Sequence, residues 1–73
     1  MTTIEDIYTL DDYRVEVSAG KYSPKKRATM HTVAVYTSQG EYPIARGQSV
    51  SAKRSYTNRK AIEVLEKQAG VYL

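Results

Sequence analysis

The sequence predicts a single-domain α+β protein, with the order α-β-β-β-α, in which a three-stranded antiparallel meander packs on a long C-terminal helix. Three observations support this fold class. The chain has 73 residues and no cysteine, apolar residues alternate with polar ones over much of residues 13–46, and helical spacing follows residue 51. The predicted domain spans residues 1–73 and comprises an acidic leader with a short helix (1–12), the sheet (13–46) and the helix (51–69).

The first predicted element is a short helix over residues 4–10. Ile4, Ile7 and Tyr8 recur at helical spacing, Thr3 stands at the N-cap position, and Asp6 follows three residues later as a capping partner.

Acidic residues gather in this part of the chain. Residues 1–16 hold five acids and one arginine, a net charge of −4, whereas the remaining residues carry +7. A basic body of this kind favours an anionic partner.

Alternation of apolar and polar residues predicts the three strands. The first begins at Tyr13, and residues 19–28 form an exposed loop after it. The second strand covers residues 29–37, and we expect its valine face to be buried. The third covers residues 41–46. It contains Pro43, which cannot donate to a ladder, so this strand should lie at a sheet edge.

The C-terminal helix is predicted to start after a loop at residues 47–50. Ser49 or Ser51 can cap it, and Gly70 should end it in the left-handed conformation, with Val71 making the accompanying apolar contact. Five residues fall on the face expected to pack on the sheet: Asn58, Ala61, Ile62, Leu65 and Ala69.

The residue types argue against catalysis. His31 is the one histidine, and with no cysteine beside it a zinc site or a nucleophile–base pair has no support. We expect a structural histidine. The four glycines are scattered and none precedes a phosphate-loop triplet. The sequence therefore predicts a protein that is not an enzyme and has no cofactor or metal. The first twenty residues contain no apolar run, so we expect a cytoplasmic protein without a membrane segment.

Two basic clusters are the candidate binding residues. The loop between the first two predicted strands contributes Lys21, Tyr22, Lys25, Lys26 and Arg27, and the start of the helix contributes Lys53, Arg54, Tyr56 and Lys60. Ammonium and guanidinium groups neutralise phosphates, a tyrosine ring can stack on a base, and a helix N-terminus favours an anion. The alternative for each cluster is an ordinary solvated surface.

The order of elements resembles that of a double-stranded RNA-binding domain over about residues 13–66. The residues that carry the resemblance are Ala52-Lys53-Arg54 at the helix start, Lys60-Ala61 within it, and the strand His31-Thr32-Val33-Ala34-Val35. In that family, helix lysines hold phosphates across the major groove, while the first helix and a hairpin loop enter flanking minor grooves. The resemblance implies that Lys53 and Arg54 clamp phosphates and that residues 21–26 supply the loop contact.

Three functional hypotheses follow. The first is a non-enzymatic nucleic-acid-binding module, for RNA rather than DNA and duplex RNA in particular. The alternative is a small protein-interaction or inhibitor protein of the kind that phages direct at a host enzyme or defence complex, using an edge strand or the acidic leader. The third is a homodimer through the sheet, with the function on the composite surface.

Overall fold

A computed structural model describes residues 3–73 of the chain and confirms an α+β fold with a C-terminal helix. The element order is β-β-β-β-α, one strand more than predicted and without an N-terminal helix. The strands are β1 (Ile4–Leu10), β2 (Tyr13–Ser23), β3 (Ala28–Thr37) and β4 (Ala45–Ser49), followed by helix α1 (Arg54–Val64) and a π-helical turn (Leu65–Ala69). Met1 and Thr2, the first residues of the predicted leader, lie outside the described residues. Neither helical segment within residues 3–73 is long and apolar enough to cross a bilayer.

Residues 4–10 form a β-strand, so the predicted N-terminal helix is wrong. β1 pairs antiparallel with β2 across a two-residue turn, with Leu10 opposite Tyr13 and Tyr8 opposite Val15. Asp11 in that turn has a φ of 55°, a left-handed value that short hairpin turns require and Asp tolerates. The strand places Tyr8 and Leu10 against the core. An isolated two-turn helix would bury little and is not stable on its own.

The four strands form one antiparallel sheet in the order β1-β2-β3-β4. The last strand runs from Ala45 to Ser49, so the predicted strand at 41–46 and loop at 47–50 are displaced, and Pro43 lies in the connection before β4. The position of the last strand at a sheet edge is confirmed. β2 and β3 are longer than predicted, which reduces the predicted loop at 19–28 to a four-residue turn between Ser23 and Ala28.

The core lies between one face of the sheet and α1. The valine face of β3 is buried, as expected: the fully buried sheet residues are Val15, Val17, Val33 and Val35. Ala61, Val64 and Leu65 cover them from the helix. Gly47 permits the close approach of α1 to β4, because a Cβ there would lie 2.7 Å from a methyl carbon of Val64. The helix covers only this face of the sheet.

The helix differs from its prediction at the start and agrees with it at the end. Lys53 is the N-cap residue and makes no side-chain capping bond, because its ammonium group has no acceptor. The Ser49 hydroxyl donates to the Ser51 carbonyl oxygen, and the Ser51 hydroxyl accepts from the Lys53 N–H at 3.2 Å. The buried helix positions include Thr57 and Val64 rather than the predicted Asn58, Ile62 and Ala69. Gly70 has the expected left-handed φ of 69°, and the Val71 N–H donates to the Leu65 carbonyl oxygen at 3.0 Å.

Candidate nucleic-acid interface

The β2–β3 hairpin concentrates four of the predicted cations at one end of the sheet. The pairing of Ser23 with Ala28 closes the turn, and Arg27 within it has a left-handed φ of 53°. The cations of this segment are exposed and make no ion pair with any acid of residues 3–73: Lys21, Lys25, Lys26 and Arg27. Their charge is therefore available to an external anion.

Two adjoining hollows connect this hairpin to helix α1. The first lies along the hairpin, and its lining includes Lys21, Tyr22, Lys25 and Lys26. The second lies along the helix, and its lining includes Tyr56, Arg59, Lys60 and Glu63. Lys26, Met30 and Gln48 line both hollows. We call the combined depression, lined by these residues, the basic groove. It brings together members of both predicted clusters, which are about thirty residues apart in the chain.

Two tyrosine rings border the basic groove. Tyr22 is 60% exposed on the hairpin and Tyr56 is 44% exposed on the helix. Exposed rings of this kind can stack on a nucleobase or pack against a sugar, and such contacts do not require a particular base. The rings would thus extend the groove's chemistry from phosphate binding to contact with the rest of a nucleotide.

Glu63 is the one acid in the lining of the basic groove. Its carboxylate accepts from Lys60 Nζ at 2.6 Å and from Lys67 Nζ at 3.1 Å. The hydrogen bond from Lys60, with that from Lys67 next in importance, lowers the pKa of Glu63 below its ordinary value. Glu63 therefore stays ionised at neutral pH and offsets part of the positive charge of Lys60, whereas Arg59 has no acidic partner within residues 3–73.

Arg54 lies outside the basic groove and joins α1 to β1. Its Nε and Nη2 donate to the two carboxylate oxygens of Asp6 at 3.1 and 3.4 Å, and the guanidinium carbon lies 4.4 Å from the centre of the Tyr8 ring. The hydrogen bond from Arg54 is the main cause of a lowered pKa at Asp6. Asp6 thus brings a negative charge to the helix N-terminus, where Lys53 and Arg54 oppose the dipole.

Tyr8 and Thr57 add a second link between the same two elements. The Tyr8 hydroxyl and Thr57 Oγ1 are 2.8 Å apart, and Thr57 is fully buried. Burial raises the pKa of Tyr8 above its ordinary value.

Lys53, the other residue of the predicted phosphate clamp, is exposed at the N-cap and lines neither hollow of the groove.

His31 has an acidic partner that the sequence did not reveal. Its Nδ1 is hydrogen-bonded to the carboxylate of Glu5, which is 26 residues away on β1. Four groove residues were not among the predicted contacts: Met30, Gln48, Arg59 and Glu63. Arg59 adjoins Lys60 in the chain, so charge offered a signal for it. Met30 and Gln48 gave none, because their role depends on the pairing of β3 with β4.

Comparison with known proteins identifies no relative. No protein-family model matches the chain, and neither the curated proteins nor the solved structures give a significant match.

Proposed function

We propose that this protein is a non-enzymatic nucleic-acid-binding module that holds phosphates in the basic groove. The observation that carries the proposal is the position of Lys26, which lines both the hairpin hollow and the helix hollow. The two hollows adjoin at Lys26 and together present cations from the hairpin and from α1. Neutralisation of several phosphates by Lys and Arg supplies most of the affinity in sequence-independent nucleic-acid binding.

A polymer suits the basic groove better than a single small anion. The unpaired cations are spread along both hollows, so consecutive phosphates of one strand can be bound together. Tyr22 and Tyr56 add ring surfaces for bases or sugars. RNA is the polymer that the resemblance favours, and duplex RNA is the first form to test. A cytoplasmic location, expected from the sequence, would give the groove access to it.

The proposed contacts differ in part from the binding residues that the sequence predicted. Lys21, Tyr22, Lys25, Lys26, Tyr56 and Lys60 keep the expected role, and Arg59 joins them. Arg27 adds charge from the turn beside Lys26. Arg54 is held by Asp6 and we assign it to the β1–α1 contact. Residues 4–10 form a strand, so the minor-groove contact that the resemblance assigned to a first helix has no counterpart in residues 3–73.

The experiment is a titration of labelled duplex RNA, duplex DNA and single-stranded RNA with the protein at two salt concentrations. The groove variant Lys26→Gln/Arg59→Gln is compared with Lys53→Gln/Lys67→Gln, which removes the same charge outside the groove. We expect the wild type to bind, with duplex RNA preferred, and to lose affinity with salt. The groove variant should bind at least about tenfold more weakly than the control variant.

Two results would overturn the proposal. Equal losses in both variants would mean that net charge, not the groove, attracts the polymer. Undetectable binding of every polymer at low salt would reject nucleic-acid binding altogether. The other candidate, a phage-type inhibitor acting on a host protein, would then be the one to pursue.

A further inference from the structure

A hollow of about 570 Å³ lies on the face of the sheet that α1 does not cover. Ser18, Thr32 and Ala34 line it and point to this face, because the valines beside them in the chain point to the core. Ser18 is 9% exposed and Ala34 is 8% exposed, although α1 lies on the other face, so they form the floor. We call this depression, whose lining also includes Lys21, Tyr36 and Arg46, the open-face hollow.

Ser18 is a buried polar residue whose hydroxyl lacks a hydrogen-bonding partner in residues 3–73. The buried polar residues of this part of the chain are Ser18, Ser49 and Thr57. The Ser49 hydroxyl donates to the Ser51 carbonyl oxygen, and Thr57 Oγ1 lies 2.8 Å from the Tyr8 hydroxyl. The Ser18 hydroxyl makes no such bond among the described residues. Since buried polar groups are normally hydrogen-bonded, its position on the floor of the open-face hollow favours a ligand that completes the bond.

Two cations without an acidic partner border the open-face hollow. Lys21 and Arg46 are exposed, and neither forms an ion pair with an acid of residues 3–73. Glu16, an acid in the lining, accepts from Arg14 Nε at 3.0 Å, so its negative charge is offset. The hollow therefore carries a net positive charge, which favours an anionic ligand.

Tyr36 supplies the open-face hollow with an aromatic ring that is held in place. Arg14 lies opposite Tyr36 in the sheet, with its guanidinium carbon 4.4 Å from the centre of the ring. The same guanidinium donates from Nη2 to the Gly40 carbonyl oxygen at 3.0 Å and from Nε to Glu16. The ring is thus positioned before a ligand binds, and its remaining surface can contact an unpaired base.

The open-face hollow adjoins the basic groove. Gly20 and Lys21 line both the open-face hollow and the hairpin hollow of the groove. Arg46 lies further from the groove, because it pairs with Ala34, roughly 13 Å along the strands from the β2 bulge that contains Lys21. A nucleic-acid strand that leaves the groove at Lys21 can therefore cross the hollow and place a further phosphate near Arg46.

We propose that the open-face hollow binds unpaired nucleotides that continue from a duplex held in the basic groove. Lys21 and Arg46 bind the phosphates of these nucleotides. Tyr36 contacts a base, and the Ser18 hydroxyl bonds a base edge or a sugar hydroxyl. The hollow has the volume of a small-ligand site, roughly 300–1,000 Å³, so it admits single nucleotides and not a paired helix. The inference rests on the proposed function and makes a duplex with a single-stranded extension the preferred ligand.

Anisotropy titrations compare a blunt duplex RNA with the same duplex carrying an unpaired extension of about four nucleotides, at its 5′ end or at its 3′ end. We expect an extension at one of the two ends to tighten binding by the wild type at least about fivefold. Arg46→Gln should remove most of this gain, and Ser18→Ala should reduce it at least about twofold. Lys53→Gln, which removes one charge outside both surfaces, should keep the gain and bind the blunt duplex as Arg46→Gln does.

The outcomes separate this inference from the proposed function. Equal affinities of the wild type for blunt and extended duplexes would overturn the inference and leave the proposed function standing. A gain that persists in full in Arg46→Gln would also overturn it, because the extension would then bind elsewhere. Failure to bind either RNA at low salt would overturn both. Circular dichroism establishes folding of the variants, which Arg46, an exposed residue, and the small change at Ser18 should leave intact.

Discussion

The side-chain amide of Gln68 is hydrogen-bonded to both backbone groups of Arg46, with Nε2 donating to the carbonyl oxygen and Oε1 accepting from the N–H. The amide thus makes the bonds that a fifth strand would make with β4. Gln68 lies in the π-helical turn that follows α1, so the end of the helix covers the edge of the sheet. An open β4 edge, suggested by Pro43 in the sequence, is not present at this position.

Replacement of Gln68 should weaken this cover. Gln68→Ala removes both bonds to Arg46, and we expect the free energy of unfolding to fall by about 1 kcal/mol, since the bonds are exposed to solvent. Exchange of the Arg46 amide hydrogen should accelerate in the folded state. Glu66→Ala, at an exposed position two residues earlier in the same π-helical turn, is the control. Unchanged exchange at Arg46 would show that the bonds do not persist in solution.

The Asp6–Arg54 contact predicts a pH dependence of stability. The pKa of Asp6 is lowered from its ordinary value near 3.8, so ionised Asp6 stabilises the fold above that pH, and this contribution is lost as pH falls through the folded-state pKa. Asp6→Asn should therefore lower Tm at neutral pH, and its difference from the wild type should shrink as the pH falls below 3.8. Asp12→Asn changes an exposed turn residue and should leave Tm unchanged. A difference in Tm between Asp6→Asn and the wild type that does not vary with pH would contradict the ion pair.

Arg27 occupies a left-handed backbone position that glycine adopts without strain. We expect Arg27→Gly to raise the free energy of unfolding by about 0.5 kcal/mol. Relief of the left-handed backbone strain should outweigh the greater flexibility of glycine in the unfolded chain. The same change should weaken nucleic-acid binding, because a cation is lost. Arg27→Gln should weaken binding equally without the gain in stability. If Arg27→Gly binds as the wild type does, Arg27 lies outside the interface.

Glu63 should oppose nucleic-acid binding. Its carboxylate accepts from Lys60 and Lys67, so Glu63→Gln should leave Lys60 free for a phosphate and raise affinity by roughly threefold at low salt. Glu66→Gln makes the same change of charge on the helix but does not line the groove, and it should raise affinity less. Anisotropy titrations at matched salt compare them. An equal effect of both variants would attribute the gain to net charge.

The α+β class and the sheet side of the core could be predicted from the sequence because both depend on local patterns. Alternation identified the buried valine face of β3, and Gly70 identified the helix end. The N-terminal strand could not be predicted in the same way. Ile4, Ile7 and Tyr8 fit a helical spacing, and the competing strand gains its stability from Tyr8 and Leu10 packing on β2, a contact that local sequence does not show.

The candidate site could be predicted in part. Charge alone identified the hairpin cations and Lys60, and the fold brings them to one groove through Lys26. Arg54 is a cation of the same helix as Lys60, yet it is bound to Asp6 on β1. That difference depends on a contact between residues 48 positions apart, which composition and spacing do not reveal.

The salt dependence of binding by Lys26→Gln tests the central claim most directly, because Lys26 is the cation that joins the two halves of the groove. The slope of the logarithm of the association constant against the logarithm of salt concentration counts phosphate contacts. We predict that the slope for Lys26→Gln is smaller than that of the wild type by about 1, while Lys53→Gln keeps the wild-type slope. Equal slopes for Lys26→Gln and the wild type would contradict the account.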